Sequence, residues 1–336
     1  MKKNILFSVL SVIVVVSVIM GYGVNGSQAS ARSVKLIAAH VNTVDSSYQA
    51  GMEAFKEKLE EISNGNIKVE IHPNGELGGN EDELVQKMAT GTVDVIVASP
   101  GFLAAVVPEI DLLSIPYLYE DSEHWEKVVS GEVGNSLASK VENDLAFHAL
   151  GYWKCGTRQY FGTKPVSEVA DLKGVKIRVH NSQTVQSVWA ALGAQPTSLA
   201  YNELYSGLQN NVIDAAENDL GNILLQKFYE AGPYISLTNH DIATRFFLMI
   251  ASKYNMLNDE QKAWVDEASE YACKKQWAFD DALQEEAKAE IKAAGGVFNE
   301  VNLKEFAEVT YDVRLKAAKE IGALEEFNKI AGLKNN

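Results

Sequence analysis

Two arginines, Arg178 and Arg158, are the residues through which this chain could act on a ligand. Arg178 lies in Asp171-Leu172-Lys173-Gly174-Val175-Lys176-Ile177-Arg178-Val179-His180, where Val175, Ile177 and Val179 alternate with Lys176 and Arg178. That period predicts a short strand with one apolar and one cationic face, and turns Arg178 away from the core. A guanidinium at a strand end is a planar fork able to hold a carboxylate through two parallel hydrogen bonds, which an ammonium cannot do. Arg158, in Gly156-Thr157-Arg158-Gln159, sits where a strand from Leu145 to Trp153 is expected to give way to a turn. The chemistry is capture of an anion. The plain alternative for each is a surface ion pair with a glutamate, which contributes little.

Other chemistries find no support. The six histidines (His40, His72, His124, His148, His180 and His240) lack the HExxH and His-x-His spacings of a catalytic zinc site. There is no G-x-S-x-G elbow and no GxxxxGK[ST] loop. Gly21-Tyr22-Gly23-Val24-Asn25-Gly26 matches G-x-G-x-x-G in letters only, because it follows what reads as a signal sequence and would be removed with it. Cys155 and Cys273 lie far apart without metal or redox spacing and read as buried free thiols. No cofactor, no metal and no enzymatic activity are expected.

Charge and length narrow the partners. The net charge is −15, which disfavours nucleic acid and anionic membranes, so an anionic ligand must be met by arginines gathered locally. Lys2 and Lys3 precede an apolar run over residues 5–20, and Ala29-Ser30-Ala31 offers a cleavage site, so residues 1–31 read as a signal peptide. An uncleaved anchor is the alternative. The expected location is extracytoplasmic, in the periplasm or on the outer face of the cytoplasmic membrane. A chain of 336 residues suits two lobes, each with its own core.

The elements that must position the arginines follow from periodicity and punctuation. Val34 to Ala39 reads as a strand, Tyr48 to Ile62 as a helix stopped at Gly65, and Ile67 to Ile71 as a second strand. Glu83-Leu84 through Met88, Gly91, Val93 and Asp94 are echoed 120 residues later by Glu203-Leu204 through Leu208, Asn211, Ile213 and Asp214. Each copy is a helix, a residue tolerant of positive φ and a strand, which suggests two similar lobes sharing a cleft. One helix is expected from Ser122 to about Asn143, a turn at Asn239-His240 and a returning strand from Thr244 to Ala251. A helix from Asn258 to about Ala294, with a buried stripe of Val265, Ala268, Ala272, Phe279, Leu283 and Ala287, is long enough to lie along both lobes. One or two further helices follow it.

The block Gly156-Thr157-Arg158-Gln159, Asp171 to Val179, Leu192-Gly193-Ala194-Gln195-Pro196-Thr197, Glu203-Leu204-Tyr205, Ile213-Asp214, Glu217-Asn218 and Thr238-Asn239-His240 resembles one family in order and spacing. It is similar to the extracytoplasmic solute-binding proteins of TRAP (tripartite ATP-independent periplasmic) transporters, the DctP family that includes sialic-acid and sugar-acid binders. The resemblance spans nearly all of the chain after residue 31. It implies an α/β, two-lobed clamshell of the periplasmic-binding-protein kind, each lobe a mixed sheet flanked by helices, with a long helix spanning both. The expected lobes are residues 32–155 plus 243–285 and residues 156–242 plus 286–336.

By the same resemblance, Arg178 is the principal clamp on a ligand carboxylate, Arg158 a second contact, and Asn218 a third. Tyr201 matches an aromatic packed on the ligand. On the first-lobe side His40 matches a polar loop residue and Glu81 an acid, with Asn80 open because of one extra residue. Ser99 stands where sialic-acid binders carry a glutamate, which together with His40 turns the expectation from sialic acid toward a hexuronate or related sugar acid. Glu217 is expected to support its neighbours and His240 to belong to the hinge. A C4-dicarboxylate is the alternative ligand, and it would need a second cationic site, for which the first lobe offers no obvious arginine. The implied partners are the small carboxylate and the membrane permease subunits, with the chain itself a monomer. A ligand-sensing ectodomain is the reading from a different class.

Overall fold

Two copies of one parallel unit carry the architecture. The computed structural model describes residues 33–179, 182–199 and 201–333; the leader read over residues 1–31 lies outside them, as does His180. In the first unit β1 (Val34–Ala39), α1 (Ser47–Ile62), β2 (Ile67–His72), α2 (Glu81–Ala89) and β3 (Val95–Ala98) give three parallel strands in the order β2-β1-β3. After α3 (Pro100–Leu103), a 3-10 segment (Pro108–Ser114), α4 (Ser122–Val129) and α5 (Glu132–Asp144), the long strand β4 (Phe147–Gly162) leads to the second unit. There β5 (Lys176–Val179), α6 (Gln183–Ala191), β6 (Gln195–Ser198), α7 (Leu204–Gln209) and β7 (Ala215–Asp219) repeat the pattern as β6-β5-β7.

The echo in sequence is therefore a repeat in space. Gly91 and Asn211 both take positive φ, 75° and 56°, where the chain turns from helix to strand. Asp94 accepts from the Ile37 N–H at 2.8 Å while its own N–H donates to Ile37 O at 2.8 Å. Asp214 treats Lys176 identically, at 2.9 and 2.8 Å. Each aspartate stitches the strand it opens to its parallel neighbour.

Short helices α8 (Leu220–Leu225) and α9 (Phe228–Ala231) precede β8 (Tyr234–Ile250), and α10 (Ala251–Asn255) and α11 (Asp259–Ala293) follow it. The tail adds β9 (Val297–Glu300) and three helices, α12 (Leu303–Val309), α13 (Tyr311–Glu320) and α14 (Leu324–Gly332), one more than expected. All nine strands form one mixed sheet, ordered β2-β1-β3-β8-β4-β7-β5-β6 with β9 beside β8. Alternation on the strands separates the cores: Val95 and Val97 join Phe55, Trp153 and Val265, whereas Ile96 and Ala98 join Trp125 and Leu137. In the second unit Ala215 packs with Ile177 and Trp189, and Ala216 with Phe161 and Ala287. Cys155 and Cys273 are buried free thiols.

Three local expectations are corrected. The helix expected over residues 122–143 is two, because the chain folds back so tightly at Gly131 that a Cβ there would meet Lys127 O at 2.6 Å. The turns expected at Gly156–Gln159 and Asn239-His240 are bulges inside continuous strands. Between Lys154 and Thr157, β4 carries one residue more than β8, with Gly156 at φ 64°; between Ser236 and Asp241, β8 carries the excess, with Asn239 at φ 42°. Turn-type residues mark both places, and the sequence could not tell a bulge from a reversal.

The stripe of α11 is the third. Its start is the expected capping box, Asn258 Oδ1 accepting from Gln261 N at 2.8 Å and Gln261 Oε1 from Asn258 N at 3.1 Å. Val265, Ala268, Ala272 and Ala287 are buried, but Phe279 is 42% exposed, and the buried middle positions are Gln276 and Asp280. The bulge in β4 explains this. Backbone groups that leave the ladder need other partners, and Gln276 accepts from Lys154 N (3.2 Å) and donates to Lys154 O (2.6 Å), while Asp280 accepts from Gly156 N at 2.8 Å.

Candidate functional site

Strand polarity decides where a site can form. β3 runs to Ala98 opposite Phe246, and β7 runs to Asp219 opposite Arg158, which itself pairs with Asp241. The carboxyl ends of both parallel units thus converge on residues 154–158 of β4 and 241–245 of β8. In open α/β sheets ligands bind outside such ends. β1 delivers His40 there and β3 delivers Ser99; β5 delivers Arg178 and β7 delivers Glu217 and Asn218.

On the second-unit side the two arginines differ in what they have left to give. Arg158 is buried, its Nε donates to Glu217 Oε2, and its Nη2 donates to Glu217 O at 2.9 Å. Burial alone would lower its pKa, but the Glu217 carboxylate more than reverses that and raises it. Glu217 Oε2 also meets His240 Nε2 at 3.2 Å, and His240 Nδ1 lies 2.9 Å from Thr238 Oγ1. Since that hydroxyl oxygen already accepts from Tyr160 N at 3.0 Å, its hydrogen is free to point at Nδ1, leaving Nε2–H to donate to Glu217. His240 is therefore in mid-strand beside Glu217, not in a turn.

Arg178 is also buried, and its one hydrogen bond among the described residues runs from Nε to Leu199 O at 3.0 Å. Burial lowers its pKa, with the Glu217 charge opposing and Arg158 adding to the shift. Both Nη groups remain for a ligand. Asn218 Oδ1 accepts from Asp219 N at 3.0 Å, leaving its NH2 to donate, and Tyr201, 41% exposed, packs edge-on against Phe228 at 5.6 Å. Arg178 is turned away from the core cluster of Ile177 and Val179, as the alternation requires, yet it is not a solvated surface arginine.

The first-unit side is a chain of acceptors and donors. Glu81 opens α2, and its Oε2 accepts from Ser99 N (2.7 Å) and Ser99 Oγ (2.5 Å). Tyr48 donates to Glu81 Oε1 at 3.3 Å and accepts from Arg245 Nε at 2.6 Å, and Arg245 lies 3.4 Å from the same carboxylate. Asn80, the open alternative to Glu81, is spent capping α2 through Glu83 N at 2.8 Å. His40 lies 2.8 Å from Gln49 Oε1, whose amide nitrogen donates to Glu53 at 2.9 Å. That orientation makes His40 Nε2 the donor, and the ring also faces the Asn42 backbone. Burial lowers the His40 pKa, with the Gln49 and Asn42 hydrogen bonds opposing.

Arg245, Tyr48 and Asp241 were not singled out from sequence. Arg245 could have been: it is the one charge inside an otherwise apolar run, Ala243 to Ile250, and a buried charge requires a partner. It is an arginine on the first-lobe side that the sequence did not make obvious. Among the described residues no group of His, Cys, Asp and Glu is placed to hold a metal ion.

Residues 38–320 match the family described as "Bacterial extracellular solute-binding protein, family 7", DctP, and the chain belongs to it. This is a family of transport proteins that bind solutes, not of enzymes. A solute-binding protein of Roseobacter denitrificans is 32% identical over 243 residues, 72% of this chain and 74% of that one. Among solved structures, a TRAP periplasmic solute binding protein from Pseudomonas putida F1, with bound D-glucuronate, is 29% identical with TM-score 0.83, covering 90% of this chain and 98% of that one. Another from Sulfitobacter sp. NAS-14.1, with bound β-D-galacturonate, is 26% identical with TM-score 0.81, covering 89% and 98%. The chain is thus a solute-binding protein of the TRAP type.

Proposed function

We propose that this protein captures a hexuronate outside the cytoplasmic membrane and hands it to the permease subunits of a TRAP transporter. Residues 32–155 plus 243–285 and 156–242 plus 286–336 act as two lobes that close on the ligand, with the tail returning through Ala317, Phe327 and Ile330 to the core of the first. The observation that carries the reading is Arg178, a buried fork with both Nη groups uncommitted among the described residues. Arg158, held by Glu217, lends the ligand charge and part of its fork, Asn218 a donor, and Tyr201 a ring face. His40, Glu81 and Ser99 line the other jaw, and Glu217 and His240 brace Arg158 on its own side.

Micromolar capture takes about 8 kcal/mol, and one charge-assisted bond contributes roughly 1.5–3 kcal/mol net. The arginine alone is insufficient, so the remainder comes from hydroxyl contacts and stacking, which favours a ring acid over a bare chain. Arg245 gives the dicarboxylate reading a second, partly buried guanidinium, but Tyr48 and Glu81 already occupy it. The hexuronates bound by the Pseudomonas and Sulfitobacter proteins support the same choice. Thermal shift against D-glucuronate, D-galacturonate, sialic acid, malate and succinate tests it. Stabilisation by a uronate is expected, and stabilisation by succinate alone would reverse the ranking.

A further inference from the structure

Asp241 is a buried carboxylate with no role in the reading above. It lies where the two units converge, paired with Arg158 across β4 and β8, and Asp241 is only 9% exposed. Its Oδ1 has no hydrogen-bond partner among the described residues. The charges that face it come from each surrounding element: Arg158 on β4, Glu217 on β7, Arg245 on β8 and Asp111 in the 3-10 segment. Neither arginine is its partner. The bonds of Arg158 go to Glu217, and those of Arg245 go to Tyr48, Thr244 O and the Glu81 carboxylate. Burial accordingly pushes the Asp241 carboxyl up to about 7 even with Arg158 nearby.

A bare acceptor in a desolvated place is destabilising unless something completes it. A second carboxylate can do so only where Asp241 keeps its proton; a hydroxyl can complete either form, donating to the ionised carboxylate or accepting from the protonated one. We propose that Asp241 reads a hydroxyl of the bound acid, so that the floor of the site selects hydroxylated acids over their bare counterparts. The inference rests on the solute-binding role of this site and sharpens its ligand class. It does not require the hydroxylated acid to be a uronate.

The test is calorimetric titration of the wild type, Asp241→Leu and Asp241→Asn with two sets of probes. One compares D-glucuronate and D-galacturonate with tetrahydropyran-2-carboxylate, the ring acid without hydroxyls; the other compares malate with succinate. The wild type is expected to favour the hydroxylated member of at least one set by tenfold or more. Asp241→Leu cuts that preference at least tenfold while affinity for the bare acid stays within threefold, and Asp241→Asn, which keeps an acceptor, retains most of it. If the leucine variant does not melt cooperatively, Asp241→Ala carries the same comparison. An undiminished preference, or equal losses for both members of a set, overturns the proposal. Malate selected over succinate with no uronate bound would sink the hexuronate reading alone, and binding of no probe would sink both.

Discussion

Arg158 and Arg178 are chemically the same, and their partners make them different. A guanidinium locked to Glu217 has little fork left, whereas Arg178 spends one N–H on a backbone carbonyl and keeps the rest. Arg178→Ala should therefore cost roughly 2–5 kcal/mol of ligand affinity, since the carboxylate loses its bidentate partner in a desolvated place. The melting temperature without ligand should hold, because among the described residues no carboxylate is hydrogen-bonded to Arg178. Titration with the stabilising acid from the thermal-shift panel checks this, and unchanged affinity would remove the residue from the site.

At the scale of elements, α11 and β4 form a unit in which a polar pair on the helix replaces a missing piece of sheet ladder. Asp280 is held there at a cost: burial first, and then the Asp219 charge, push its carboxyl up to about 8, against the help of the Gly156 N–H. Its folded pKa lies above the unfolded value near 4, so the native state binds more protons between the two. Its contribution is fully favourable below about pH 4 and is lost as pH rises through 8. Asp280→Asn keeps an acceptor for Gly156 and removes the titration. The variant should gain stability over the wild type as pH rises from 5 to 8.5, by at most about 1.4 kcal/mol per pH unit. Denaturant midpoints measured across that range check it; parallel profiles would show that the group does not titrate as described.

For the molecule as a whole, the two units are joined through long strands that are bulged at Gly156 and Asn239, with α11 alongside. Bulges let a strand bend without giving up its ladder on either side. The proposed closure of two lobes there would be a population shift, favoured by a ligand that only the shut form can touch from both sides. Small-angle scattering should show a smaller radius of gyration with saturating ligand in the wild type. Arg178→Ala at the same ligand concentration should show no change. A radius unaffected by ligand in the wild type would exclude a closing clamshell.

Periodicity, caps and turn residues are local, and they made the βαβ units, the Asn258–Gln261 cap and the spatial repeat legible from sequence. Gly91 and Asn211 announce the same turn because both tolerate positive φ. The order of motifs from Gly156 to His240 carried the family as well. What the tertiary structure alone decided is which polar groups are taken and which are left over. Glu217 is 59 residues from Arg158, Gln276 is 122 from Lys154, and Arg245 is 197 from Tyr48. No local pattern encodes such pairings, so Phe279 was expected inside where Gln276 and Asp280 are. Asp241 passed unnoticed for the same reason: an unpartnered acceptor is recognised only after every neighbour's hydrogen bonds have been assigned.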